Sequence, residues 1–404
     1  MLLAESLKFC RAETLALFTT VEDAIFCRQL HPEFSPVGWH LGHIAFTEAY
    51  WILEQLQGFK PIFSEYRQLF AADGLPKTER QKLPSFQIIE EYLQVVRDQV
   101  LDYLAIAPLE KQERLWWWLI QHETQHRETI ALLLQLSRFQ SGNFPKIARN
   151  SMGATSGQSS DMITIPSGEF LMGCDRVQAQ DNERTTQKIY LDSYQIDTYP
   201  VTCREYQRFI EKGGYDDPNH WSKEGWQWKQ KNLIIQPLYW IASEERADHP
   251  VYGVSWYEAS AYAKFIGKRL PTEAEWEKAA SWDAAHQQQR LYPWGEDLPD
   301  ITRCNYGNPI GQTTPVNSYL EGKSAYGCQD MLGNVWEWTD SWFAPYPDFQ
   351  PYPYPGYSQV YFDQQHRVLR GGSWATGMWG LRNSFRNWYH PWVRQILAGF
   401  RCAI

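Results

Sequence analysis

The residues best placed for chemistry in this chain are histidines. His122 and His126 lie in His122-Glu123-Thr124-Gln125-His126, and His40 and His43 in Trp39-His40-Leu41-Gly42-His43. Side chains four apart on a helix project from one side, one turn apart, so His122 and His126 can share one metal ion. A third imidazole from a neighbouring helix would complete three nitrogen ligands and leave positions open for substrate and oxygen. His43 suits that place, with His40 as its rival three residues earlier. Buried without partners, two imidazoles would cost about 1–3 kcal/mol each, so something must occupy them. Neutral imidazoles accept zinc, copper, nickel or ferrous iron, and affinity order does not choose among these. His122-Glu123-x-x-His126 also matches the zinc-protease pattern, in which the glutamate is the general base. That reading needs a further ligand downstream, yet from Arg127 to Gly168 there is no histidine and the only acids are Glu128 and Asp161.

The elements that must position these residues are helices. Residues 1–140 carry helical periodicity: an opening helix over Ala4 to Arg28, a second from Ser35-Pro36, a third from Pro84-Ser85 and a last from near Pro108. On the last, Leu115, Leu119, His122, His126, Ile130 and Leu133 recur at steps of three and four, which puts both histidines on the buried stripe. The expectation is a four-helix bundle over 1–140. Residues 141–160 read as a linker, with Ser151-Met152-Gly153-Ala154-Thr155-Ser156-Gly157 at its centre. Residues 161–404 change character to short strand-like pieces, many glycines and prolines, and aromatic clusters. Helical patterns there are few, chiefly Thr202 to Lys212, Trp256 to Ile266 and Thr272 to Ser281, so the overall class is α+β.

Composition sets the outer limits. A chain of 404 residues with 43% hydrophobic and 21% charged residues can bury two substantial cores. A formal net charge of −9 argues against nucleic acid as the partner. No apolar run approaches bilayer length, and the start lacks the pattern of a signal peptide. The seven dispersed cysteines, with no Cys-x-x-Cys, read as reduced thiols. These features predict a cytoplasmic protein without membrane or nucleic-acid partners, a monomer or weak homo-oligomer. The 20 tryptophans concentrate after residue 220, where some are expected to line a pocket.

Ordered motifs in the second half carry a resemblance. Ile165-Pro166-Ser167-Gly168-Glu169-Phe170-Leu171-Met172-Gly173, Arg269-Leu270-Pro271-Thr272-Glu273-Ala274-Glu275-Trp276-Glu277, Asp330-Met331-Leu332-Gly333-Asn334-Val335-Trp336-Glu337-Trp338, Arg370-Gly371-Gly372-Ser373-Trp374 and Gly399-Phe400-Arg401-Cys402 are similar to the formylglycine-generating-enzyme fold. That fold is related to C-type lectins and has little regular structure. Formylglycine enzymes carry a reactive cysteine pair upstream of the final block, whereas Ser384 to Ala398 contains no cysteine. The first half resembles a DinB-type bundle, whose members bind metal through three histidines placed as His43, His122 and His126 are. The two together resemble the ergothioneine sulfoxide synthases and their ovothiol and selenoneine relatives. Arg386-Asn387-Trp388, followed by Arg394-Gln395-Ile396-Leu397-Ala398, is nearest the ergothioneine branch.

The resemblance implies a non-haem Fe(II) enzyme that uses O2 to join a thiol to the imidazole C2 of hercynine (trimethylated histidine). It implies Gln125 as the residue holding the substrate imidazole, and Asn387 and Trp388 as the betaine-binding pair, with Trp39 a second aromatic wall. It implies an active-site tyrosine, for which Tyr352 and Tyr354 are the candidates ahead of Tyr92 and Tyr103. Arg80, with Arg67 as fallback, would grip the donor carboxylate. Mycobacterial-type enzymes carry an aspartate after Asn-Trp that holds γ-glutamylcysteine. Here that position is Tyr389, which favours cysteine, or a selenosugar donor as in the selenoneine branch. A non-catalytic lectin-like binding protein is the reading that would leave the histidines empty.

Overall fold

The structure, a computed structural model, describes residues 3–19, 21–143 and 161–404. The chain divides into two units, Met1–Phe144 and Pro145–Ile404. The expected linker over 141–160 lies, apart from its first three residues, outside the described residues.

In the first unit the helices are α1 (Leu3–Ala16), α2 (Asp23–Phe26), α3 (Val37–Glu48), α4 (Arg67–Phe70), α5 (Phe86–Leu104) and α6 (Leu109–Gln140). The bundle is formed by α1, α3, α5 and α6, with α3 packed on both α5 and α6 and α1 on α6. Two boundaries differ from expectation. The opening helix stops at Ala16 rather than running to Arg28, closed by i,i+3 bonds from Leu17 and Phe18. The β-branched run Thr19-Thr20-Val21 that follows is poor helix sequence. Ser35 does not cap α3. Pro36 occupies the cap, and the Ser35 hydroxyl instead accepts a hydrogen bond from Arg80 at 2.9 Å. Beyond Glu48 the helix continues in π-helical geometry over Ala49–Leu56.

One buried residue from each bundle helix joins a ring of alternating charge. Arg11 of α1 donates to Glu123 of α6 at 2.8 Å and to Glu48 of α3 at 3.0 Å. Arg97 of α5 donates to Glu48 at 2.6 Å and to Glu123 at 2.7 Å. The remaining donors reach the Leu93 and Leu7 carbonyls. A misregistered helix would strand a charge in the interior, so the ring specifies how the four helices pair.

The second unit contains short elements in a large aromatic core. The helices are α7 (Cys203–Glu211), α8 (Lys223–Lys231), α9 (Trp256–Phe265) and α10 (Glu273–Ser281). Thr202, Ser255 and Thr272 open α7, α9 and α10 with capping boxes, each closed by a glutamate three residues on. The helix α8, capped by Ser222, was not legible in its tryptophan-rich stretch. Strands β1 (Met162–Ile165), β2 (Gly168–Met172), β3 (Gln187–Leu191) and β4 (Tyr194–Asp197) form the antiparallel pairs β1–β4 and β2–β3. Strands β5 (Trp282–Asp283) and β6 (Gln288–Gln289) pair with each other. Strands β7 (Trp336–Trp342), β8 (Arg367–Arg370), β9 (Asn387–Tyr389) and β10 (Ala398–Gly399) make a sheet of order β10-β7-β8-β9, with β9 at its edge.

With so little ladder, buried ion pairs between motif residues tie the loops together. Arg401 grips Glu337 with two bonds of 2.6 and 2.8 Å, Arg370 reaches Glu273 and Glu277, and Arg386 reaches Glu273 at 2.6 Å. Trp276, fully buried beside them, donates its indole N–H to Glu337. The seven cysteines are all free thiols, and no helix among the described residues is long and apolar enough to cross a membrane.

Candidate metal centre

Helices α3 and α6 bring His43, His122 and His126 together. Each offers one ligand atom, and these atoms lie within 4.8 Å of one another. Ring centres are 5.1 Å apart for His43–His122, 4.7 Å for His43–His126 and 4.4 Å for His122–His126. Burial pushes the His43 imidazole down to about 4, and holds His122 and His126 well below the ordinary imidazole range. All three are therefore neutral near pH 7, the form that donates a lone pair to a metal. Neutral imidazoles converging on one point fit a divalent cation, with no carboxylate to favour calcium or magnesium.

The orientation of His43 is set from outside the trio. Its Nδ1 donates to the Phe70 carbonyl at 2.6 Å, which leaves Nε2 as the ligand atom. That contact depends on Gly42, where a Cβ would come within 2.2 Å of the Phe70 ring. The missing side chain is what lets Phe70, wholly buried at the end of α4, lie against α3. Trp39 stacks on His43 with centres 4.6 Å apart and planes 12° apart, and donates its indole N–H to the Leu69 carbonyl at 2.7 Å.

Arg80 and Trp39, both expected at the substrate, pack against each other beside His43. Arg80 lies 4.1 Å from the Trp39 ring centre and donates to Ser35 and to the Ala72 and Leu75 carbonyls. Its guanidinium braces the 72–75 loop. The Trp39 ring contacts both His43 and Arg80. Arg67 pairs with Glu54 at 2.9 Å and is half exposed.

His40 is not one of the trio; its Nδ1 lies 2.9 Å from Nδ1 of His126. Glu123, the acid of the protease pattern, turns both oxygens into the charge ring. Burial would raise its pKa, but Arg11 and Arg97 outweigh burial and hold it below the usual carboxylate value. A carboxylate spent on two guanidiniums is not a general base, and the zinc-protease reading fails on this geometry. Gln125 sits between the two ligands on α6, partly buried.

In the second unit, Trp388 lies on β9 opposite Val368 of β8. Its ring stacks on Phe343 at 4.2 Å and 8°, with Tyr361 at 5.5 Å and Tyr357 edge-on at 6.3 Å. Four aromatic rings so grouped offer π faces to a quaternary ammonium. Asn387 precedes it, its side-chain oxygen accepting from the Trp388 N–H, and Tyr389 follows, paired with Arg367. Tyr352 and Tyr354 sit partly buried on a loop that Asp181 and Asn182 pin, through the Tyr352 N–H and the Ser358 hydroxyl. Tyr357, not among the expected tyrosines, lies beside Trp388. It stands in the same Pro-Tyr run, but only burial and its contact with Trp388 distinguish it from its neighbours.

Comparison with known proteins agrees in both units. Residues 6–130 match the DinB superfamily, and residues 148–404 match the sulfatase-modifying factor enzyme 1-like domain. Hercynine oxygenase of Mycolicibacterium smegmatis is 37% identical, across 99% of this chain and 98% of its own. Hercynine oxygenase of Mycobacterium tuberculosis is 38% identical over the same shares. Among solved structures, PvdO from Pseudomonas aeruginosa is 24% identical over 60% of this chain and 93% of its own, with a TM-score of 0.44. A helical DinB-type unit carrying three histidines, a sulfatase-modifying-factor unit and full-length identity above one third mean that the chain belongs to the hercynine oxygenase family and is an enzyme of the oxygenase class.

Proposed function

We propose that this protein is an Fe(II)- and O2-dependent sulfoxide synthase that joins the sulfur of a cysteine-type thiol to the imidazole C2 of hercynine. The observation that carries the reading is the trio of neutral histidines in a chain related along its length to hercynine oxygenases. In this reading residues 1–140 hold the metal, 141–160 connect, and 161–404 recognise substrate.

His43, His122 and His126 would hold the iron without adding negative charge, which would favour a thiolate over a thiol beside it. Ferrous iron supplies the one-electron chemistry with O2 that the bond requires. Gln125 orients the substrate imidazole through its amide. Trp388, with Phe343, Tyr357 and Tyr361, receives the trimethylammonium, and Asn387 stands beside it. Tyr352 or Tyr354 supplies a proton and an electron, with Tyr357 added to the candidates on its contact with Trp388. Tyr389, where an aspartate would grip a γ-glutamyl ammonium, supports cysteine as donor. The same substitution also suits a selenosugar donor, which is the second reading.

The test is oxygen uptake by the Fe(II)-loaded protein with hercynine and, in turn, cysteine, γ-glutamylcysteine and a selenosugar, with products read by mass spectrometry. A hercynyl cysteine sulfoxide is expected. Product from the selenosugar alone would move the protein to the selenoneine branch, and no uptake with any donor would overturn the reading. Trp388→Leu is expected to raise KM for hercynine by about 5–30-fold, the loss of about 1–2 kcal/mol of cation–π attraction, with a smaller change in kcat. An unchanged KM would remove Trp388 from the site.

A further inference from the structure

His40 is a fourth imidazole beside the trio, and the metal reading gives it no task. It lies on α3 one turn before His43, so a single helix presents one member of the trio and a neighbour to another. Its side chain is buried, 7% exposed. The Nδ1–Nδ1 separation of 2.9 Å from His126 is a hydrogen-bond length between two ring nitrogens. A single proton lies between nitrogens this close, so one of the two donates and the other accepts. His126 has two nitrogens: Nδ1 faces His40, which leaves Nε2 for the shared point of the trio. A ligating Nε2 must carry a free lone pair, so the ring proton of His126 belongs on Nδ1. His40 Nδ1 is then the acceptor, and its own proton sits on Nε2.

Histidine ligands are usually oriented by a carboxylate or a backbone carbonyl at the second nitrogen. His43 follows that pattern with the Phe70 carbonyl. His126, partly open to solvent, has an imidazole there instead. A neutral acceptor fixes the ring without adding negative charge, so a cation held by the trio keeps its full charge for an anionic substrate group.

We infer that His40 is a positioning residue: it accepts the Nδ1 proton of His126, fixes Nε2 as the ligand atom, and does so without charge. The inference rests on the metal reading proposed above, and its test separates the two. Fe(II) affinity would be measured anaerobically on the full chain by competition with a chelator, for the parent protein, His40→Phe and His40→Asn. Phenylalanine keeps a flat buried ring and removes the acceptor. Asparagine restores an acceptor oxygen near the Nδ1 position. The metal-free melting temperature of each variant is the control for folding.

His40→Phe is expected to lose about 10–100-fold in Fe(II) affinity, the range for outer partners of metal-bound histidines. His40→Asn is expected to recover most of that loss, with metal-free melting alike in the two variants. The Zn(II)-loaded parent should also show one downfield imidazole N–H proton resonance that His40→Phe lacks. Parent-like affinity in His40→Phe, or a loss that His40→Asn does not recover, would overturn the inference while leaving the trio intact. Failure of the parent chain itself to bind Fe(II) would overturn the metal reading and this inference with it.

Discussion

His122→Ala is expected to leave a folded protein that retains no stoichiometric iron and turns over no substrate. The His122 ring lies between Trp118, 5.0 Å away, and the rings of His43 and His126. A metal bound tightly by four protein ligands gains about 10–16 kcal/mol, so one ligand carries roughly 3–4 kcal/mol, or about 10²–10³ in affinity. Metal-free stability should change little, because the cavity left by the ring is offset by relief from burying an imidazole among two others. Metal content per chain and oxygen uptake with hercynine and cysteine check both parts. Turnover that survives loss of iron, or iron retained at full stoichiometry, would remove His122 from the centre. The contrast with His40→Phe is one of degree: losing an outer partner costs about 10–100-fold in affinity, whereas losing a ligand costs about 10²–10³-fold and turnover with it.

Glu123→Gln should damage the fold more than the chemistry. Glu123 accepts from Arg11 and Arg97, both buried, and the amide leaves two guanidiniums sharing Glu48 alone. Removing one partner from a buried ionic network costs about 3–5 kcal/mol. For a unit of this size that is a fall in melting temperature of roughly 6–20 °C. Because Arg11 and Arg97 hold the Glu123 pKa below its usual value, its contribution is fully present above the unfolded carboxylate pKa of about 4.3. It is lost as pH falls through the folded value, so the deficit of the variant should be largest near neutrality and vanish in acid. Denaturant unfolding of parent and variant at pH 7 and pH 3 tests this. A variant that melts like the parent but has lost activity would restore Glu123 as a catalytic base. Replacing Arg11 and Glu123 together by methionine and leucine should recover part of the stability, since apolar replacement removes the stranded charge.

The sequence by itself determined what periodicity and local chemistry can determine. The pairing of His122 with His126 follows from the helical repeat, and the helical patterns from Thr202, Trp256 and Thr272 placed three helices of the second unit to within a residue. The motifs around Arg370 and Arg401 announced a fold with little regular structure, and their side chains prove to be its buried ionic ties. Tertiary structure alone decided between His40 and His43, which share one face of α3. Gly42 admits Phe70, and the Phe70 carbonyl orients His43 toward the trio while His40 turns to His126. Tertiary structure likewise turned Glu123 away from the histidines, and gave Arg80 and Trp39 partners in the 69–75 loop. It also gathered Phe343, Tyr357 and Tyr361 around Trp388 from segments up to 45 residues away along the chain. Spacing along one helix is a local property of the backbone, so it can be read in order; which partner a side chain finds across the core depends on which neighbours leave room for it.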